Sequence, residues 1–229
     1  MQLSEHLLEQ NLVIDAFELE QFEMAESITV MNFFNDPQPT FVIGTAYADP
    51  TEDQPVRGRI LLFRLTPTRR LSLIAETEVP GSAYSVVSLQ ERLVASVNSR
   101  IIVFNFDPSQ DALHARLTPK TSHHGHIIAL YLAAHGHFLL VGDMMKSVSV
   151  LRLGADDALE EIAQDYATHW MTAVSMLDDE TYIGSDSTYN LLAWRKRSEG
   201  VTDEERQRLE LIGEWHLADQ VNRFCHGKR

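Results

Sequence analysis

The sequence predicts an all-β fold, a β-propeller of four-stranded antiparallel blades. Three observations predict it. Short apolar runs of five to seven residues, separated by turn residues, recur through most of the chain, and strands take that length while helices need more. The runs fall into groups of four, and the group repeats. Gly44, Ser96, Gly142 and Gly184 stand at the same bend of each second run, at successive spacings of 52, 46 and 42 residues. A period of about 40–50 residues with four strands per unit belongs to propeller blades.

Residues 1–10 are a polar N-terminal segment, and 11–229 are read as a partial propeller. Runs at 11–14 and 17–22 are expected to be two short strands closing an incomplete blade. The first complete blade lies near 28–79. It has strands at 28–34 and 41–45, a turn at 35–37, a polar loop over 49–58 holding Pro50 and Pro55, and strands at 59–63 and 71–79. The second lies near 83–118, with runs at 83–89, 93–97, 101–106 and 113–118. The third, near 127–166, opens on two apolar runs joined by His135-Gly136-His137, a hairpin signal. Gly142-Asp143 then breaks the second of these runs, and Met144, Met145 and Lys146 follow. In Ser147-Val148-Ser149-Val150 the serines are expected on one face and the valines on the other, as in a half-buried strand. The fourth blade lies near 171–216. Thr202 with Glu205 three residues later has capping-box spacing, and predicts one short helix in the loop before the last strand. Residues 221–226 read as the first strand of another blade. Four complete blades with part-blades at both ends do not close a seven-bladed ring, so the expected unit is a portion of one or a smaller ring.

The chain has 229 residues, with 33 acidic against 19 basic and a net charge of -14. Phosphate neutralisation needs clustered Lys and Arg. The dense basic clusters are Arg69-Arg70 and Arg195-Lys196-Arg197, so no direct nucleic-acid binding is expected. Cys225 is the single cysteine. That excludes an internal disulfide framework and a cysteine zinc site, and fits a reducing compartment. No apolar run approaches the ~18 residues of a membrane span, and the first residues lack the basic start and apolar stretch of a signal peptide.

His123, His124, His126, His135 and His137 flank one hairpin. Clustered histidines hold zinc where the geometry converges, but these fall at opposite ends of one strand and are expected in polar turns. Asp156-Asp157 and Asp178-Asp179-Glu180 lack the alternating oxygen ligands of a calcium loop and are expected to be solvated turns. There is no phosphate-binding glycine loop, serine elbow or kinase signature, and Cys225 is expected to be a buried strand residue. No catalytic residue, metal site or cofactor is therefore expected. Tyr131, Met144, Met145, Trp170 and Met171 fall at strand starts and bends. Such residue types are enriched in interface cores.

The stretches IIALYL, FLLVGDMMKSV, HWMTAVSMLDDE, TDEERQRL and NRFCHG, with FVIGTAYADP, RGRILLF and AYSVVSLQERLVASVNSRI before them, carry a resemblance in one unbroken order. They resemble the third propeller of the adaptor family of cullin-4 RING ubiquitin ligases, the large subunits of UV-damaged-DNA-binding complexes. The resemblance runs from about residue 11 to residue 227. Two sister families share the architecture, in mRNA 3'-end processing and in splicing, and a scaffold subunit of either is the alternative. The resemblance implies a seven-bladed propeller, scaffolding rather than catalysis, and a cleft between the first and third propellers where substrate-receptor proteins insert a helical motif. It implies cullin-4 contact only through family regions absent here, no membrane partner, and a place in nucleus and cytoplasm. The implied receptor-contacting positions are Ala46, Ala48, Glu52, Ile128, Leu130, Tyr131, Met144, Lys146, Trp170 and Asn222. Lys146 stands where the family usually has Arg, which keeps the charge and loses the bidentate fork. Ile128 replaces a Met, and Gln220 stands where an aromatic is common.

Overall fold

The structure, a computed structural model, describes residues 13–34, 36–108, 115–225 and 227. It is nearly all β. Among the described residues sixteen strands form four antiparallel sheets of four, each a simple meander. The first sheet holds β1 (Glu23–Phe33), β2 (Asp36–Tyr47), β3 (Gly58–Leu65) and β4 (Leu71–Val79). The second holds β5 (Ala83–Leu89), β6 (Arg92–Val97), β7 (Arg100–Asp107) and β8 (Arg116–His124). The third holds β9 (Ala129–His135), β10 (Phe138–Asp143), β11 (Val148–Leu153) and β12 (Leu159–Gln164). The fourth holds β13 (Met171–Met176), β14 (Thr181–Asp186), β15 (Asn190–Lys196) and β16 (Leu209–His216). No helix among the described residues is long and apolar enough to cross a membrane.

The sheets are propeller blades. Their first strands neighbour one another in sequence order, β1 beside β5, β5 beside β9 and β9 beside β13. Three apolar cores fill the three spaces between successive sheets. Phe33, Ile60, Leu62, Phe104 and Phe106 share the first. Leu89, Val103, Leu139, Val141 and Leu151 share the second. Leu140, Val150, Tyr182, Leu192 and Trp194 share the third. Second and third strands have apolar residues on both faces because both faces meet a neighbouring blade.

The glycines at two of the second-strand bends, Gly44 and Gly142, have a steric reason. A Cβ on Gly44 would stand 2.6 Å from the backbone oxygen of Ala83 on the next blade, and one on Gly142 would stand 2.7 Å from Cγ1 of Val174 on β13. Glycine there lets the next blade's first strand close in. Gly44→Ala is expected to cost about 1–3 kcal/mol, the scale of core overpacking. Urea denaturation measures it, and an unchanged midpoint would show that the first two blades have slack.

The expected elements need five corrections. Residues 13–20 form no strand, and β1 begins at Glu23, paired with Tyr47 from its first residue. Without a partner strand the segment is held by side chains. The Phe17 ring stands edge-on to Phe63 at 4.8 Å, and the Asp15 carboxylate accepts the Leu71 N–H at 2.9 Å. Residues 221–225 carry no strand among the described residues, and Cys225 is exposed rather than buried. Residues 11, 12, 35, 113, 114 and 226, named in the expected elements, lie outside the described residues. The fourth strand of the second blade lies later than expected and carries His123 and His124 inside its ladder, opposite Ile101 and Arg100. Ser147 and Ser149 are buried along with the valines, because each hydroxyl finds a side-chain partner, Asp165 and His126. Asp157 is not a solvated turn residue. It is 5% exposed and pairs with Arg92 and Lys120 of the second blade.

The short helix, α1 (Asp203–Arg206), has Thr202 as its cap, whose hydroxyl accepts the Glu205 N–H at 3.2 Å. The reciprocal arm of Glu205 accepts the N–H of Val201 rather than of Thr202.

Candidate partner-binding face

One rim of the propeller is organised by a hydrogen bond that every blade repeats. The residue before each first strand offers its carbonyl, and the residue after each second strand donates its N–H to it. Ala48 N–H donates to Phe22 at 2.8 Å, Asn98 to Ser82 at 3.2 Å, Met144 to Ile128 at 2.9 Å and Ser187 to Trp170 at 2.8 Å. Each bond clasps the loop after a second strand to the connection entering the same blade. Four of the ten positions implied by the resemblance, Ala48, Ile128, Met144 and Trp170, sit in these clasps. The sequence does not display the device, because it is made of backbone.

The third and fourth blades bring most of the candidate residues together. Ile128, Leu130 and Met144 are half-buried around the third clasp, and Leu130 falls at a bulge where Gly142 pairs Tyr131 and Asp143 pairs Ala129. Lys146 is exposed, and its Nζ donates to the Gly125 carbonyl at 2.8 Å. Ser147 N–H donates to the His169 carbonyl at 3.1 Å, which joins the third clasp to the fourth. Trp170 follows His169 and is 50% exposed. Ile127, Met145, Tyr189 and Leu217, which the resemblance did not mark, are also exposed apolar residues on this rim. The Leu217 N–H donates to the Tyr189 carbonyl at 2.9 Å.

Tyr131 and Asn222 line the same channel. Tyr131, Leu132 and Ala133 of β9 line an open channel of about 620 Å³ with residues of β1, β5 and β13, and Asn222, Arg223 and Phe224 enter it. The preceding Val221 carbonyl accepts the Thr172 hydroxyl at 2.8 Å. Burial pushes the Tyr131 phenol up from its ordinary value, so it remains a neutral donor.

The first blade contributes separately. Ala48 and Glu52 are exposed in the loop between β2 and β3, with the second blade's tight turn between them and the rest. Ala46 leaves the surface altogether. It is 1% exposed inside β2, its Cα opposite Met24, so its side chain is not presented to a partner.

The histidines divide as their spacing implies, but not all lie in turns. The His123 and His126 rings meet edge-on at 5.8 Å at the rim end of β9. At the other end His135 Nδ1 lies 2.8 Å from the Asp179 carboxylate. Burial is the largest influence on His126 and holds it down to about 4, against the opposite pull of Asp143. The ring is neutral at neutral pH, with Nε2 2.9 Å from the Ser149 hydroxyl. Among the described residues no group of three His, Cys, Asp or Glu side chains has the geometry of a metal site.

The whole length of this architecture matches one family, described as the CPSF A subunit region, over residues 2–229. The chain belongs to the CPSF A subunit region family. Within it the chain is 44% identical over 215 residues to DNA damage-binding protein 1 of Solanum lycopersicum, and 43% identical over 215 residues to DNA damage-binding protein 1a of Arabidopsis thaliana. DNA damage-binding protein 1 of Oryza sativa subsp. japonica is also 43% identical. Each match covers 93% of this chain and 20% of the relative. The chain thus spans about one fifth of the length of these relatives.

Proposed function

We propose that this chain is a non-catalytic docking module, part of a seven-bladed propeller in an adaptor of cullin-4 RING ubiquitin ligases, whose clasped rim receives substrate-receptor proteins. The observation that carries this reading is Trp170, a half-exposed indole on a residue whose backbone carbonyl is held in the fourth clasp, beside the apolar cluster of the third. Aromatic anchors on a rigid frame are where binding energy concentrates. The docking set is Ala48, Glu52, Ile128, Leu130, Tyr131, Met144, Lys146, Trp170 and Asn222. The relatives' name, DNA damage-binding protein 1, supports a role in the DNA damage response, and the resemblance to the ligase adaptors supports a role in protein ubiquitination. The net charge of -14 supports DNA contact through partners rather than through this chain, and cullin contact belongs to regions outside it. The lone cysteine fits nucleus and cytoplasm, the compartments where we place it.

Replacing Trp170 and Tyr131 together by Ala is expected to weaken capture of a purified substrate receptor by the immobilised chain about thirtyfold or more, the scale of a hot spot. Circular dichroism should stay unchanged, because neither ring fills an inter-blade core alone. A folded double variant that captures receptor as the wild type does would sink the reading. Co-purification with polyadenylation or splicing subunits in place of receptors would move the chain to a sister assembly.

A further inference from the structure

The loop between β10 and β11 takes its shape from one carboxylate. Asp143 ends β10 and is 1% exposed. Its Oδ1 accepts the N–H groups of Met145 at 2.8 Å and Lys146 at 2.9 Å, and its Oδ2 accepts the N–H of Ile127 at 2.7 Å. The first two bonds fold the loop back over the strand end. The third reaches the connection between β8 and β9. Asp143 N–H also donates to the Ser147 carbonyl at 2.9 Å, and Ser147 closes the loop in the left-handed region at φ 62°. One buried group therefore ties together the two segments that carry Ile128, Met144 and Lys146. Hydrogen bonds to an ionised acceptor are stronger than neutral ones, and losing the acceptor leaves three backbone donors to find others.

The fourth blade repeats the device. Asp186 Oδ1 accepts the N–H groups of Thr188 at 3.0 Å and Asn190 at 2.9 Å, and its Oδ2 meets Nδ1 of His169, the neighbour of Trp170, at 3.2 Å. The first two blades do without it. Asn98 holds the turn of the second with an amide, accepting the Ser82 N–H. In the first, Asp49 bonds only within its own loop, to Thr51. The buried carboxylates thus occur in the two blades that flank Trp170.

We infer that Asp143 is a positioning residue of the docking face. It holds the 125–128 and 144–147 segments in their bound arrangement before a receptor arrives, and so removes an ordering cost from binding. The inference rests on the docking reading above.

The test uses the whole chain, with amide exchange by NMR and receptor capture read side by side. In Asp143→Ala the Ile127, Met145 and Lys146 amides should lose protection, and capture should weaken about tenfold or more, the effect of losing preorganisation at a hot spot. Asp143→Asn keeps one acceptor oxygen. It should protect the amides in part and bind between the other two. Val141→Ala, in the core beneath the same strand, should lower stability while leaving those amides protected and capture unchanged. Capture that follows amide protection rather than melting temperature supports the inference. Amides that stay protected in Asp143→Ala, or open amides with full capture, overturn it. A wild-type chain that captures no receptor overturns the docking reading and the positioning role with it, and the amide data then leave Asp143 as a loop anchor only.

Discussion

Trp194→Ala is expected to destabilise the chain by about 3–5 kcal/mol, the range for truncating a fully buried aromatic. Trp194 is 0% exposed in β15 and stands among the largest side chains of the third inter-blade core. Volume is only part of the effect. Its Nε1–H donates to Oδ2 of Asp165 at 3.0 Å, and the same oxygen accepts the Ser147 hydroxyl at 2.7 Å. Asp165 opens the connection that ends at Trp170, so the buried indole supports the candidate docking face from beneath. Trp194→Phe separates the two contributions, because it keeps most of the ring and loses the donor. It should cost about 1–3 kcal/mol, the scale of one hydrogen bond to a charged group. Urea denaturation of both variants gives the comparison. If Trp194→Phe costs as much as Trp194→Ala, the hydrogen bond and not the packing dominates; if it costs nothing, Asp165 is held by Ser147 and the Ala167 N–H alone.

Much of the fold is legible in the sequence because a propeller writes its period directly into apolar spacing. The runs at 71–79, 83–89, 148–153 and 209–216 mark strands with the same bounds in the structure, since turn residues stop each one abruptly. The ends were not legible. Residues 13–20 and 221–225 have strand-like composition, but a strand is completed by its neighbour, and among the described residues they pair with none. The candidate face was legible in part and for one reason. Trp170, Met144 and Ile128 occupy strand boundaries, and boundaries gather on rims. What joins them was not legible, because the clasps are backbone to backbone. Asp143 looked like a strand breaker beside Gly142, where it is the acceptor that orders the rim. Ala46 shows the opposite failure. A position carried over from a resemblance has no burial attached to it, and the register of β2 turns this one inward.

The other large effect is expected at the first blade. Arg59 of β3 reaches Glu23 of β1 through two bonds, Nε to Oε1 at 2.9 Å and Nη2 to Oε2 at 2.6 Å. The Glu23 side chain is 0% exposed, and it also accepts the Thr45 hydroxyl at 2.7 Å and the Glu20 N–H at 2.9 Å. This bidentate pair joins three strands at the base of the loop that presents Ala48 and Glu52. Arg59→Met should cost about 3–5 kcal/mol, because it strands a buried carboxylate. Adding Glu23→Leu should recover most of that loss, since a buried pair replaced by apolar groups is near neutral. Burial pushes the Glu23 carboxyl up, but the bonds from Arg59, Thr45 and Glu20 outweigh it and leave the group below its ordinary value. A lowered value in the folded chain means that this stabilisation is present above the unfolded glutamate value, about 4.3, and is lost as pH falls through the folded one. The wild type should therefore lose stability on acidification below about pH 4.3 more steeply than the Arg59→Met, Glu23→Leu double variant. Denaturation midpoints measured from neutral pH into acid decide it. Parallel profiles would mean that Glu23 titrates alike in the folded and unfolded chain, and that the pair holds the rim by packing rather than by charge.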